Sequence, residues 1–509
     1  MKLNTIAVSV LIISTLIEVS FLNLLLVAYE DARKSVIEAE DLLNIGGRVQ
    51  LTTKETLVDD RLVKEKLEEL SRGFRNPAVS TTALHFFKAK QLIERSEIFK
   101  FLRRMPKGAI LHVHNTASVS SEWMVRNISY MPGLLRCTNS AGVSVLTFRE
   151  APKMHACQTQ YVHVSDERRR SASASTYDNN FEKMINLQTP TPELEYPSLT
   201  SVWTKFQQMF TTIHDALRYI PAYQAYHWQM LQEMYEDNVM YAEVRMDFRE
   251  LYDIRGQIFP PERSVEEILH IVREFCQLHP DFLGIKAIFS AHRGANQSRV
   301  REQFEKFKMF YKYPNFIIGF DLVGQEDKGN PLHSFVEALT DLPKTARYFF
   351  HAGETNWYGA STDLNLLDAI LLNTTRIGHG YALSKHPVLW NAVKTRDIAI
   401  EVSPISNQVL HLVWDLRNHP ASIFMSQNLP IVISNDDPGF WNAKGLSYDF
   451  YYALMSLAPN HAGLKTLKNL VWNSIRYSVL NEAERRRAFV LLERAWNSFL
   501  DETIQGLVS

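Results

Sequence analysis

The chain lacks an excess of charge of either sign. Lys and Arg number 55 against 56 Asp and Glu, a formal net charge of −1. No global field therefore recruits nucleic acid or an anionic membrane, and a substrate has to be recognised locally, in a pocket. Internal repeats are absent, and no Gly-rich phosphate loop follows any of the apolar runs. Cysteine is scarce, with three in 509 residues. Cys137 and Cys157 stand close enough in sequence to be bridged, which would contribute about 3 kcal/mol in the chain-entropy picture, while Cys276 lies in an apolar helical pattern and reads as a buried free thiol. Three reduced thiols fit the count equally well. Hydrophobic residues are not scarce: 46% hydrophobic against 22% charged excludes a disordered chain. The length suits one large domain with additions, or two to three domains.

The first 28 residues read as a signal peptide. Lys2 supplies a positive start, Ile6 to Ile17 is mostly apolar, and Leu26-Val27-Ala28 ends on a small residue where cleavage can occur. Glu18 interrupts the stretch and argues against a stable membrane span. A membrane anchor or a buried N-terminal helix is the alternative. Three glycosylation sequons, at Asn127, Asn296 and Asn373, suit export, although sequons also arise by chance in cytosolic chains.

Residues 29–104 read as a helical arm. Asp31 to Leu43, Val63 to Leu70 and Ala83 to Leu102 carry apolar residues at three- and four-residue spacing. From about Lys107 short apolar runs recur, most followed by a helical stretch: Ala109–Val113, Val239–Val244, Ile285–Phe289, Phe316–Val323, Arg347–Phe350, Thr375–Ile377, Ile398–Val402 and Pro430–Ile433. Near-continuous apolar strands alternating with helices indicate a parallel sheet covered on both faces. Eight such units predict a (β/α)8 TIM barrel over 105–509, with a doubly wound open sheet as the alternative. Residues 127–195, between the first two strands, form an insertion that holds the cysteine pair, Arg168-Arg169-Arg170 and two prolines, and is read as a loop-rich subdomain. The three arginines read as solvated charge.

In such a barrel the chemistry sits at the C-terminal ends of the strands. Four ends carry ligand-type residues: His112-Val113-His114, His351-Ala352-Gly353-Glu354, Gly378-His379-Gly380 and Ser434-Asn435-Asp436-Asp437. His112 and His114, two apart on a strand, point to the same face. Among 17 histidines an H-x-H pair is weak on its own, and hydrogen-bonded core histidines are the bland reading. With His351 and Asp436 the pair becomes a His3Asp set, three imidazoles and a carboxylate that leave a zinc ion open to water. Zinc brings a water's pKa from 15.7 to about 7. Glu354 is then placed to protonate a ring nitrogen, His379 to orient or deprotonate the attacking water, and Asp437 to accept a hydrogen bond from a bound base.

These residues, with Met105-Pro106-Lys107-Gly108, Phe320-Asp321-Leu322-Val323-Gly324 and Arg376-Ile377-Gly378-His379-Gly380, resemble the adenosine deaminase family, and within it the secreted growth-factor subfamily. The resemblance implies one Zn2+ per subunit on His112, His114, His351 and Asp436, with Glu354 donating a proton to purine N1 and His379 acting on the water. It implies Asp437 near purine N7, the Gly324 backbone at purine N3, and Trp203 lining the nucleoside pocket. It further implies hydrolysis of adenosine and 2′-deoxyadenosine, secretion, homodimerisation through the N-terminal helices, a Cys137–Cys157 disulfide, and an insertion that binds a receptor or proteoglycan. One position departs from the subfamily: the aspartate that contacts ribose is Asn115 here, which keeps hydrogen-bonding capacity but loses the charge. The rival readings are another zinc amidohydrolase on the same barrel, and a weakly active or inactive growth factor acting by receptor binding.

Overall fold

The structure is a computed structural model that describes residues 2–149, 157–294, 297–342 and 345–508. Eight parallel strands carry the fold: β1 Gly108–His114, β2 Val239–Met246, β3 Ile285–His292, β4 Ile317–Val323, β5 His351–Ala352, β6 Arg376–His379, β7 Ala399–Val402 and β8 Ile431–Ile433. They pair in order as two four-stranded sheets, β1 to β4 and β5 to β8. Phe320 bridges to Tyr348 across one seam and Val113 to Asp436 across the other. At the second seam the His114 N–H donates to the Asp436 carbonyl at 2.9 Å, and the Asp436 N–H to the His112 carbonyl at 3.2 Å. The sheet is therefore a closed barrel, and the open-sheet alternative fails. All eight residues of β2 are buried, as expected of a strand inside a barrel with helices outside.

The fifth strand differs from its prediction at Arg347–Phe350. Its two-residue ladder begins at His351, and the preceding extended segment is held by the bridge at Tyr348 and by the Phe349 N–H donating to Phe320 O at 3.0 Å.

Lys2–Leu43 is one continuous helix, spanning the predicted signal stretch and the start of the arm. Thr53–Arg75 starts at a capping box of Thr52 and Glu55, buries Val58 and Leu62, and packs against the C-terminal helices Leu464–Arg476 and Glu482–Val508. The helix predicted over Ala83 to Leu102 is broken in two, Phe86–Ile93 and Glu97–Arg104, because the Ser96 hydroxyl accepts from the Phe99 N–H and caps a new start. Among the described residues no helix is long and apolar enough to cross a membrane.

The insertion is more regular than the loop-rich subdomain predicted for 127–195. Leu135–Thr138 lies between Ser144–Thr147 and Val162–His163 in an antiparallel sheet, followed by helices Val164–Arg170 and Ala174–Ile185. A Cys137–Cys157 disulfide ties this sheet, with Cα atoms 5.9 Å apart. Arg168 corrects the solvated reading of the arginine run. It is buried, donates to Asp178 at 2.8 Å and to Ser129 O at 3.2 Å, and lies 3.7 Å from the Tyr130 ring centroid; Arg169 and Arg170 are exposed. Cys276 is free but half-buried rather than fully buried. Asn127 and Asn373 are exposed, and Asn296 lies outside the described residues.

Candidate active site

Strand register brings the four strand ends to one rim of the barrel. The bridge between Val113 and Asp436 lays the end of β8 between His112 and His114, and β5 pairs with β6 so that His351 faces Gly378 and Ala352 faces His379. Gly378 lets the rings close in, because a Cβ there would meet the His112 ring at 3.1 Å and the His351 Cα at 3.2 Å and push them by a few tenths of an ångström. Ring centroids of His112 and His351 lie 4.5 Å apart, those of His112 and His379 5.0 Å, and those of His114 and His351 5.3 Å. His379 and Asp436 both adopt left-handed backbone, φ 62° and 59°. Non-glycine residues hold that conformation only where surrounding structure imposes it, and such positions concentrate at functional sites.

Donor atoms of His112, His351, His379 and Asp436 all lie within 4.8 Å of one another, and so do those of His114, Asp436 and Asp437. The two groups share Asp436, whose Oδ1 stands 3.2 Å from His112 Nε2 and 3.1 Å from His114 Nε2. Among the described residues, His112 Nε2, His379 Nε2, Asp436 Oδ1 and Asp437 Oδ1 are buried without a hydrogen-bond partner. Unsatisfied polar atoms cost about 1–3 kcal/mol each when desolvated, so several aimed at one another fit a cation between them.

What lies behind each ring separates the histidines. His112 Nδ1 meets Glu401 Oε2 at 2.8 Å and His351 Nδ1 meets Asp321 Oδ2 at 2.6 Å. A carboxylate only accepts, so both rings carry their proton on Nδ1 and turn an Nε2 lone pair toward the cluster, the arrangement typical of metal-ligating histidines. Burial lowers the His351 pKa to about 3, which keeps the ring neutral. Arg245 clamps both carboxylates, donating to Asp321 at 3.0 Å and to Glu401 at 2.6 Å; Arg376 donates to Glu401 at 2.7 Å and pairs with Glu243 at 2.6 Å. His379 differs: its Nδ1 faces an amide, Asn407 Nδ2, at 3.1 Å.

Glu354 is buried, its Oε1 3.7 Å from His379 Nε2. Burial, with Asp436 and Glu326 alongside, pushes its carboxyl well above the usual range, so that it holds a proton. Its loop is fixed by Glu326, which accepts from the Glu354 N–H at 3.0 Å and the Gly353 N–H at 3.2 Å. Burial and the adjacent Asp436 raise Asp437 likewise. Ser406 donates to Asp436 Oδ2 at 2.7 Å.

The remaining predicted residues sit around this centre. Asn115 directly follows His114, is buried, and turns its amide to His227 Nε2 at 3.5 Å. Gly324 directly follows β4 with φ 102°, and a Cβ there would meet the His292 ring at 2.6 Å. Trp203 is buried in helix Leu199–Ile213 with its ring edge-on to Phe206, which in turn touches Phe440 and Trp441 on the loop after Asp437. Gly324 is thus placed by the end of β4, and Trp203 packs through Phe206 against the segment after Asp437.

Sequence reasoning missed Glu401, Asp321, Arg245 and Arg376, although a signal was present. Each is a charge inside a strand body that otherwise reads as apolar, and a buried charge has to be paired or close to an ion. Asn407 and His419, on the long connection after β7, carried no such signal.

A closed parallel barrel whose C-terminal rim gathers histidines and carboxylates around converging unsatisfied lone pairs defines a metal-dependent barrel hydrolase. Two family patterns match the chain, "Adenosine deaminase" over residues 184–494 and "Adenosine/AMP deaminase N-terminal" over 22–102. The chain is 41% identical to adenosine deaminase 2 of Homo sapiens, covering 92% of this chain and 93% of that one, and 42% identical to an adenosine deaminase of Phlebotomus duboscqi, covering 90% and 89%. The chain belongs to the adenosine deaminase family. Solved structures of the same fold include the Arabidopsis ADAL–IMP complex, with a TM-score of 0.57 at 15% identity over 79% of this chain and 99% of that one. An adenine deaminase of Arthrobacter aurescens superposes with a TM-score of 0.54 at 19% identity over 79% and 99%.

Proposed function

We propose that the protein is a secreted, zinc-dependent adenosine deaminase that converts adenosine, and 2′-deoxyadenosine, to inosine or deoxyinosine and ammonia. The observation that carries this reading is the pairing of converging lone pairs on His112, His351 and Asp436 with a protonated carboxyl, Glu354, beside them. His112, His114, His351 and Asp436 would hold the ion. Three imidazole nitrogens and a carboxylate, with no thiolate, suit zinc with an open position. Bound there, zinc acts as a Lewis acid that lets a water attack at neutral pH.

The chain's own residues do the rest. Glu354, kept protonated by burial, gives its proton to purine N1 as the water oxygen adds to C6. His379, buried with its Nε2 3.7 Å from Glu354 Oε1, addresses the water. Asp437, raised by its neighbour Asp436, carries a proton it can share with purine N7. Ammonia leaves with the amino nitrogen; N1 keeps the proton from Glu354, and the two hydrogens of the water end on ammonia and back on Glu354. Gly324 leaves backbone free at purine N3, Trp203 walls the nucleoside pocket, and Asn115 meets the ribose.

Secretion is supported by the Cys137–Cys157 disulfide, which persists in oxidising compartments, and by the exposure of the Asn127 and Asn373 sequons. The exposed Val36, Ile37 and Leu42, on the part of the first helix beyond residue 28, suit the arm as a contact between two copies of the chain. Purified secreted protein should contain zinc and consume adenosine, read by the ultraviolet change on deamination. Equal or faster turnover of adenine or of simple amides would assign the site to another amidohydrolase.

A further inference from the structure

Behind His379 runs a chain of hydrogen bonds whose directions can be settled from one end. The backbone N–H of Ala421 donates to His419 Nδ1 at 3.0 Å. A backbone N–H can only donate, so His419 Nδ1 carries a lone pair. His419 is buried, and that burial lowers its pKa to about 3, so the ring is neutral and its one proton sits on Nε2. His419 Nε2 lies 2.8 Å from Asn407 Oδ1, which accepts it. The Asn407 amide is thereby oriented, and its NH2 donates to His379 Nδ1 at 3.1 Å. His379 Nδ1 is then an acceptor, and a neutral ring carries its proton on Nε2. That nitrogen has no partner among the described residues and lies 3.7 Å from Glu354 Oε1 and 3.9 Å from Asp436 Oδ2.

The frame is rigid at each joint. Asn407 is fully buried, and its carbonyl accepts from the Leu412 N–H at 2.8 Å and the Val413 N–H at 3.2 Å. The His419 ring stands edge-on to Tyr381 at 5.1 Å. The contrast with His112 and His351 is one of polarity: acceptors behind those two rings expose an Nε2 lone pair, whereas a donor behind His379 exposes an Nε2–H.

We propose that Asn407 and His419 are positioning residues that fix His379 as its Nε2–H tautomer, so that the ring meets the attacking water as a hydrogen-bond donor. This inference rests on the deaminase reading and narrows the role of His379 from orienting or deprotonating the water to orienting it. It also explains how four histidines share one rim without all four competing for the ion: a ring with a proton on Nε2 and an amide on Nδ1 has no lone pair to offer there.

The test uses the full-length zinc-loaded protein labelled with 15N in histidine, in which protonated and lone-pair imidazole nitrogens resonate far apart. The His379 signals are those lost in His379→Gln. Wild type is expected to show His379 with Nε2 protonated and Nδ1 unprotonated. Asn407→Asp places an acceptor behind the ring and is expected to move the proton to Nδ1. His419→Leu, which frees the amide to turn, is expected to lower kcat about tenfold or more with KM within about twofold, since a catalytic histidine held in the wrong tautomer loses turnover rather than binding. His419→Gln, whose amide can still donate to Asn407 Oδ1, is expected to restore kcat to within about threefold of wild type. An Nδ1-protonated His379 in wild type would overturn the proposal, as would an Asn407→Asp spectrum identical to wild type. The spectra are read without substrate, so a protein that proves inactive on adenosine refutes the deaminase reading and leaves the tautomer assignment to be judged separately.

Discussion

Glu401 offers the sharpest perturbation of the metal centre, because it contacts His112 directly and reaches His351 only through Arg245 and Asp321. Its Oε2 accepts from His112 Nδ1 at 2.8 Å and Arg245 Nη2 at 2.6 Å, and its Oε1 from Arg376 Nε at 2.7 Å, all three partners fully buried. In Glu401→Gln the carbonyl oxygen can keep the Oε2 position and both of its donors. The new NH2 then faces the Arg376 N–H, donor against donor, which costs about 1–3 kcal/mol. Arg376 retains Glu243 at 2.6 Å and Arg245 retains Asp321 at 3.0 Å, so the barrel still folds. His112 keeps its tautomer but loses a full negative charge behind it, and zinc affinity should fall about 10-fold, toward the lower end for an outer partner of a ligating histidine. Glu401→Ala removes all three hydrogen bonds and should cost about 3–5 kcal/mol, with zinc affinity down about 100-fold. Chelator competition gives the zinc Kd, and urea unfolding of the same samples gives the stability. A Glu401→Gln protein that unfolds earlier yet binds zinc as wild type would refute the reasoning, because Glu401 would then be a counter-ion of the arginines alone.

Glu354→Gln replaces a protonated carboxyl by an amide of the same shape, so kcat should fall about 10²–10⁴-fold while zinc content and thermal stability hold; a kcat within a few-fold of wild type would remove Glu354 as the proton donor. Asn115→Asp should lower KM for adenosine about five- to thirty-fold, the worth of one charge-assisted hydrogen bond to ribose, with a smaller effect on kcat; an unchanged KM would place Asn115 off the substrate. Acid should destabilise the fold through buried neutral histidines. His85 is buried at the start of helix Phe86–Ile93, its Nδ1 accepts from the Phe87 N–H at 3.3 Å, and burial lowers its pKa to about 3. Between pH 6.5 and 3 the unfolded chain binds the extra proton, so the stability present above 6.5 is lost as pH falls, at up to about 1.4 kcal/mol per pH unit for each such ring. His85→Asn keeps an acceptor at that helix start and should flatten the fall of the urea midpoint from pH 6.5 to 4; an unchanged slope would contradict the assignment.

The barrel was readable because its strands are buried on both faces and so appear as apolar runs, and the rim was readable because polar residues end four of those runs. His112, His114, His351, His379 and Asp436 converge because β1 closes on β8 and β5 pairs with β6, which is topology that residue type alone only suggests. The charges inside strands, Glu243, Arg245, Asp321 and Glu401, were given no role from the sequence although together they hold the site. The regular structure of the insertion escaped prediction because its strands are two to four residues long, and the burial of Arg168 because an arginine run reads as solvated until its tyrosine and aspartate partners are brought beside it. Asn407 and His419 lie twelve residues apart on a connection with no periodic pattern, and only the fold brings them into line with His379.

The central claim is that one zinc ion sits among His112, His114, His351 and Asp436. Zinc K-edge X-ray absorption on the purified protein, with metal content measured on the same sample, tests it most directly. The account predicts one zinc per chain with nitrogen and oxygen neighbours at about 2.0–2.2 Å, including three imidazoles, and loss of an imidazole in His351→Ala. A sulfur neighbour at about 2.3 Å, or a zinc environment unchanged in His351→Ala, would contradict it.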